Sequence, residues 1–216
     1  MPGIGRVCGE YFRLSLMRGL EDALSRAGLS PIAGIDEAGR GCLAGPVVAA
    51  AVVPGDDLVP GVDDSKKIPA ELRDSLAAAV RATARAWAIV AVPASEIDAG
   101  DILRATRIAM LRALNRLATR PGAVVTDAVA LPESGLPCLA LVKGDALAYA
   151  VACASILAKS ARDRMMLDLD RDYPHYGFAR HKGYGAPEHL AALARFGPCP
   201  AHRLTFGPVV PRREAA

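Results

Sequence analysis

The segment GIDEAGRGCLAGPVVAAAVV, residues 34–53, decides how this chain is read. An apolar run that begins at Ile32 leads into Asp36 and Glu37, a glycine-rich bend follows, and Val47–Val53 forms a second run of β-branched and small apolar residues. Two strand-sized runs joined by so short a bend predict adjacent antiparallel strands. Outward from this hairpin the hydrophobic period becomes helical. Residues 11–27 place Phe12, Leu16, Leu20 and Leu24 at helical spacing with Gly28 as a stop, so residues 1–30 read as a lead-in helix. On the other side the pattern predicts a helix over 69–85 opened by Pro69, a strand at Trp87–Val92 and a helix over 101–119. Strands follow at Gly122–Val129 and Cys138–Val142, then one alanine-rich helix from Ala146 to about Tyr173, a GFARHKGYG loop and a helix over 187–196. The last twenty residues read as irregular. With no internal repeat or low-complexity linker, this predicts one α/β domain over 1–216, in which residues 174–216 form a helical and irregular extension.

Bulk properties narrow the class further. The chain has 216 residues, 52% hydrophobic and 23% charged, enough for one sizeable core. A formal charge of +3 permits a polyanionic partner without requiring one. The five cysteines are scattered, with no Cys-x-x-Cys pair, which argues against a disulfide framework or a zinc knuckle and for a reducing cytoplasm. No stretch approaches the roughly 20 apolar residues of a membrane helix, and no cleavable apolar leader is seen, so no membrane association is expected.

The chemistry rests on carboxylates. Neighbouring residues on a regular strand point to opposite faces, so Asp36 and Glu37 could serve one site only where the strand ends or turns. An isolated Asp-Glu pair is more often a polar turn. Asp127, at the end of VVTD, and Asp145, in KGD before the long helix, lie at a strand end and a helix start, where functional groups of open α/β sheets collect. Asp145 also suits an ordinary helix N-cap. Four clustered carboxylates repel one another unless some protonate or cations neutralise them, and oxygen-only ligation favours Mg²⁺ or Mn²⁺ over zinc. Such a set suits hydrolysis of a phosphodiester by two metal ions. Asp163 lies 18 positions after Asp145, roughly 27 Å along one helix, so it is left out and paired with Lys159 instead. The histidines His175, His181, His189 and His202 show no metal-ligand spacing and receive no catalytic role.

These residues carry a resemblance. The blocks GIDEAGRGCLAGPVVAAAVV (34–53), DDSKKI (63–68), KGDALAYAVACASILAKSARDRMM (143–166), YPHYGFARHKGYG (173–185) and GPCPAHRLTF (197–206) resemble the ribonuclease HII family, in the family's order. The resemblance implies a ribonuclease H-like mixed five-stranded sheet flanked by helices. It also implies an endoribonuclease acting on RNA/DNA hybrids and on single ribonucleotides embedded in duplex DNA. Asp36, Glu37, Asp127 and Asp145 match the family's four metal-binding acids. Gly39, Arg40 and Gly41 match the GRG loop whose main chain meets the ribonucleotide 2′-hydroxyl, and Tyr184 matches the tyrosine that stacks on the following sugar. Lys66, Lys67, Lys143, Lys159, Arg180 and Lys182 are candidate phosphate contacts.

A monomer satisfies everything in the sequence, and a contact with a replication clamp is left open. Two alternatives are a binding module that has lost turnover and a junction resolvase of related fold. Four retained acids argue against the first, and the GRG and HKGYG matches argue against the second. Three positions depart from the family pattern: Ala128 stands where glycine is usual, Cys42 where proline is more typical, and Asp101 where an asparagine near the substrate is expected.

Overall fold

The structure, a computed structural model, describes residues 3–65 and 68–209. In chain order its helices and strands are α1 (Ile4–Leu24), β1 (Ile32–Ala38), β2 (Val47–Val53), α2 (Ala70–Thr83), β3 (Ala86–Val92), α3 (Ala94–Asp98), α4 (Ile102–Asn115) and β4 (Ala123–Asp127). They continue with β5 (Cys138–Leu141), α5 (Gly144–Leu147), α6 (Tyr149–Asp172), α7 (Phe178–His181) and α8 (Pro187–Phe196). The five strands form one mixed sheet in the order β3-β2-β1-β4-β5. β1, β2 and β3 pair antiparallel, while β4 and β5 lie parallel to β1 and to each other. This is the expected mixed five-stranded sheet.

β1 and β2 are central and buried on both faces, which is why they read as nearly continuous apolar runs. One face packs on α6, with Ala50, Val52, Ala152, Ile156 and Leu157 in a core shared with α2 and α1. The other packs on α4, with Ile35, Ala49, Ala51, Ala109, Met110 and Val124. A third cluster joins Leu43 and Ala44 of the glycine bend to Met166 of α6, Tyr176, Phe178, Ala192 and Leu193. The C-terminal extension therefore packs on the bend itself. No helix among the described residues is long and apolar enough to cross a membrane.

Three expectations change. The predicted stripe of α1 is only partly the buried one: Leu14, Met17 and Glu21 face inward, while Phe12 and Leu16 are exposed. Glu21 explains the rotation, because its carboxylate accepts the Ala150 N–H of α6 at 2.6 Å and so caps the start of that helix. The single helix from Ala146 is broken. α5 is one turn, Ala148 is extended at φ −125°, ψ 124°, and α6 begins only at Tyr149. The GFARHKGYG segment, expected as a loop, contains α7.

β1 and α6 meet at Gly34, where an added Cβ would lie 2.1 Å from the Ala150 carbonyl carbon and 2.3 Å from its oxygen. Main chain fills the space a side chain would need, so helix and strand must move apart to admit one. Gly34→Ala is expected to cost about 3 kcal/mol in urea unfolding. A loss below about 0.5 kcal/mol would show that this contact does not set the spacing.

Candidate active site

Asp36, Asp127 and Asp145 each offer a carboxylate oxygen to one cluster, all within 4.8 Å of one another. The sheet and two main-chain devices place them. Ile35 pairs with Thr126 in the parallel β1–β4 ladder, which sets Asp36 level with Asp127 on the adjacent strand. Asp127 Oδ1 accepts the Gly144 N–H at 2.8 Å, pinning the KGD segment to the end of β4. A Cβ on Gly144 would lie 3.0 Å from the Thr126 carbonyl oxygen, so glycine permits the close approach. Lys143, not Asp145, occupies the N-cap position of α5, in the left-handed region at φ 61°. Asp145 sits in the first turn, buried and beside the other two, which overturns the plain N-cap alternative. Ala128, directly after Asp127, also has positive φ, at 57°. A glycine would adopt that conformation without the steric cost alanine bears.

The electrostatics are those of charges gathered out of water. Burial above all, then the charges of Glu37 and Asp127, push the Asp36 carboxyl well above the usual carboxylate range. A hydrogen bond from Ser155 and the Glu37 N–H at 2.7 Å pull the other way. Ser155 is itself held by Ser65, Oγ to Oγ 2.9 Å, so the DDSKKI block reaches Asp36 through two hydroxyls. Neither serine stood out in the sequence, since the two lie 90 positions apart. A divalent cation fits this donor set: oxygen ligands only, like charges already in contact, and a buried carboxyl whose ionised form needs compensation.

Glu37 lies outside the group whose oxygens come within 4.8 Å, yet its charge is the largest acting on Asp36. Pairing of β1 with β2 continues through Ala38, so the strand does not turn at Asp36 and alternation sends the two side chains to opposite faces. Glu37 Oε1 accepts from Arg40 Nη1 at 3.0 Å.

The bend after β1 is held by two buried arginines that sequence reasoning missed. Arg162 of α6 donates to the carbonyls of Pro46, Lys182 and Ala44 at 3.0, 3.0 and 3.2 Å. Arg203 donates to the carbonyls of Gly39, Arg40 and Gly45 at 2.7 to 3.0 Å. The signal for Arg162 was an arginine four positions from Ala158 and from Met166, both core residues of one helix face. Gly39 has φ 96°, and a Cβ there would lie 2.0 Å from Arg162 Nε. A Cβ on Gly41 would meet nothing within 4 Å, so no neighbour among the described residues requires glycine there.

The KGYG turn lies against this bend: the amides of Leu43 and Ala44 donate to the Gly183 carbonyl at 2.8 and 3.3 Å. Tyr184 is 49% exposed, and its hydroxyl hydrogen-bonds the buried Cys42 thiol. The Lys182 ammonium is turned back onto the Ala179 carbonyl, and Arg40 is exposed beside Glu37. Lys159 forms the expected ion pair with Asp163, which Arg73 also binds at 2.8 Å, so it is tied into the α2–α6 interface. Asp101 caps α4 by accepting the Arg104 N–H at 2.9 Å. Lys66 and Lys67 lie outside the described residues. Sequence spacing separated the histidines, yet His181, His189 and His202 come together under the KGYG turn.

A family model described as Ribonuclease HII matches residues 33–209. The Ribonuclease HII of Geobacillus kaustophilus is 53% identical over 195 residues, covering 90% of this chain and 74% of that protein. That of Chloroflexus aurantiacus is 50% identical over 197 residues, covering 88% and 93%. Among solved structures, the ribonuclease H2 of Pyrococcus horikoshii superposes with a TM-score of 0.73 at 27% identity, covering 82% of this chain and 94% of that one.

The charge cluster makes a test that needs no substrate. With its folded pKa raised above 3.8, Asp36 favours the fold in acid, and that contribution is lost as pH climbs from 3.8 through the folded value. Asp36→Asn is therefore expected to stabilise the metal-free protein at pH near 7 by about 1 kcal/mol, roughly 2–4 °C in melting temperature. The gain should vanish toward pH 3, and added Mn²⁺ should stabilise the unsubstituted protein more than the variant. A variant that melts lower at neutral pH would contradict this account of the site.

Proposed function

Because the chain belongs to the ribonuclease HII family, we propose that residues 1–216 act as one catalytic domain. It hydrolyses the RNA strand of RNA/DNA hybrids and incises duplex DNA 5′ of single embedded ribonucleotides. The products carry 3′-hydroxyl and 5′-phosphate ends. The observation that carries this reading is the convergence of Asp36, Asp127 and Asp145, from three separate elements, beside the glycine bend.

Two divalent cations, Mn²⁺ or Mg²⁺, would be held by Asp36, Glu37, Asp127 and Asp145 and, when bound, would supply Lewis acidity and an acidified water for in-line hydrolysis. Glu37 joins that set by exchanging its Arg40 partner. The remaining work belongs to the chain. Arg162 and Arg203 fix the main chain of residues 39–46, so that the amides and carbonyls around Gly41 meet the substrate without rearranging. The open space at Gly41 suits a sugar edge, and the 2′-hydroxyl is the group that separates RNA from DNA. Tyr184 presents a half-exposed ring next to that bend and stacks on the sugar of the following deoxynucleotide. A 2′-hydroxyl there would spoil the packing, so Gly39–Gly41 and Tyr184 together read an RNA-to-DNA junction. Lys143, Lys182 and Arg40, with Lys66, would contact phosphates and contribute affinity rather than sequence preference. The enzyme acts as a cytoplasmic monomer on nucleic acid, with no part in membranes.

The test is cleavage of an end-labelled DNA duplex containing one ribonucleotide, with Mg²⁺, Mn²⁺ or EDTA, beside an all-DNA duplex and a long RNA/DNA hybrid. Metal-dependent incision immediately 5′ to the ribonucleotide, with the all-DNA duplex spared, is expected, and Asp36→Asn should reduce it by at least about 1,000-fold. Gly41→Ala should leave the unfolding midpoint unchanged and lower kcat/KM about tenfold or more, since its added methyl meets only the substrate. Cleavage of long hybrids alone would remove the junction reading, and a folded, active Asp36→Asn protein would remove the mechanism.

A further inference from the structure

His189 of α8 and His202 of the C-terminal segment are buried, and neither belongs to the carboxylate site. Their hydrogen bonds fix where the protons sit. The Cys199 amide donates to His202 Nδ1 at 3.0 Å, so that nitrogen is a lone pair and a neutral His202 carries its proton on Nε2. That proton faces His189 Nε2 at 3.0 Å, which must therefore accept it. The proton of His189 is left on Nδ1, from which it is donated to the Tyr184 carbonyl at 2.7 Å. Three contacts thus agree on one pair of tautomers. A proton added to either ring would set two N–H groups face to face.

The surroundings keep the pair neutral. His181 stacks on His189 with ring centroids 4.5 Å apart, and it grips the same turn, accepting the Gly183 N–H at Nδ1, 3.2 Å, and donating to the Tyr176 carbonyl. Tyr176 meets His202 edge-on at 4.8 Å, and Phe178 packs on both rings. The Cys199 thiol is 3.2 Å from His202 Nδ1, Glu188 precedes His189, and Arg203 follows His202 with its guanidinium directed to the glycine bend. Burial, then His189 beside it, pushes His202 down to about 4, and burial lowers His189.

We propose that His189 and His202 are positioning residues for substrate choice: an uncharged relay that fixes the main chain of Tyr184 and thereby the placement of its ring. This rests on the reading of Tyr184 as the sugar-stacking residue. A relay of this kind acts on junction substrates and spares long hybrids, which offer RNA on both sides of each cut. Both substrates use the same carboxylates, so the ratio of their kcat/KM values isolates the effect.

The experiment compares that ratio, single-ribonucleotide duplex over long hybrid, in the full-length protein with Mn²⁺ for His189→Leu, His189→Asn, Tyr184→Ala and the Tyr184→Ala/His189→Leu pair. His189→Leu removes the side-chain donor to the Tyr184 carbonyl, leaving it only the Ala186 N–H at 2.8 Å, and is expected to lower the ratio about tenfold. Asn places an amide nitrogen where Nδ1 stood and should restore most of it. In the Tyr184→Ala background, His189→Leu should lower the ratio no further, because the two residues act through one contact. Should His189→Leu fail to fold, His189→Gln, which reaches toward His202 but lacks the δ donor, takes its place with the same expected loss. An equal loss on both substrates, or failure of Asn to restore the ratio, would overturn the relay. If Tyr184→Ala lowers the ratio and His189→Leu does not, the relay falls while the reading of Tyr184 stands. If Tyr184→Ala leaves the ratio intact, both fall.

Discussion

Two guanidinium groups in the interior, those of Arg162 and Arg203, hold the turn between the two central strands by its carbonyls. A buried cation costs several kcal/mol unless its donors are satisfied, and here the acceptors are main-chain oxygens of residues 39–46 and of Lys182. Burial pulls the Arg203 guanidinium down to about 10, still fully charged at neutral pH. Positive φ at Gly39 and Gly45 aims these oxygens inward, and Met166 and Arg162 occupy the space any side chain would take. The turn cannot relax without stranding a charge. The sheet, α6 and the C-terminal segment therefore meet at one main-chain loop, and the carboxylate site opens beside it.

The site has a matching internal logic. Each acid is delivered by a different piece of backbone: a central strand, the end of its parallel neighbour, and a one-turn helix tied back by Asp127 to the Gly144 amide. Asp36 bears the cost of this gathering most plainly: burial, and then the charge of Glu37, push its carboxyl well above the usual range. The stability that folding spends here is recovered from the apolar packing of β1 and β2 on both faces.

Much of this was legible in the sequence, and the limits are physical. The strands were readable because central strands buried on both faces need unbroken apolar runs, and Gly34–Val53 supplies them. Asp36, Asp127 and Asp145 were readable as strand-end and helix-start acids. The break at Ala148 was not, since Ala-Leu-Ala-Tyr-Ala carries helical propensity throughout and only the tie to Asp127 and the capping of Ala150 by Glu21 divide it. The placing of Glu37 beside Arg40 depended on how far β1 pairs with β2, and boundaries are where periodicity says least. The histidine cluster joins positions 181, 189 and 202 through tertiary packing of α7, α8 and the last loop, so spacing along the chain held no sign of it. Ser65 and Ser155 were hidden for the same reason.

The way the arginines hold the turn also bears on how this segment can change over time. Carbonyl oxygens are common to every amino acid, proline included, so outside Gly39 and Gly45, where no side chain fits, a clamp that grips them is indifferent to which side chains it spans. Cys42 illustrates the latitude. Its own amide makes only a 3.4 Å contact with the Gly39 carbonyl, so a proline at that position would surrender almost nothing that the clamp uses. A lineage can thus exchange the other letters of this loop, one at a time, and inherit the same backbone.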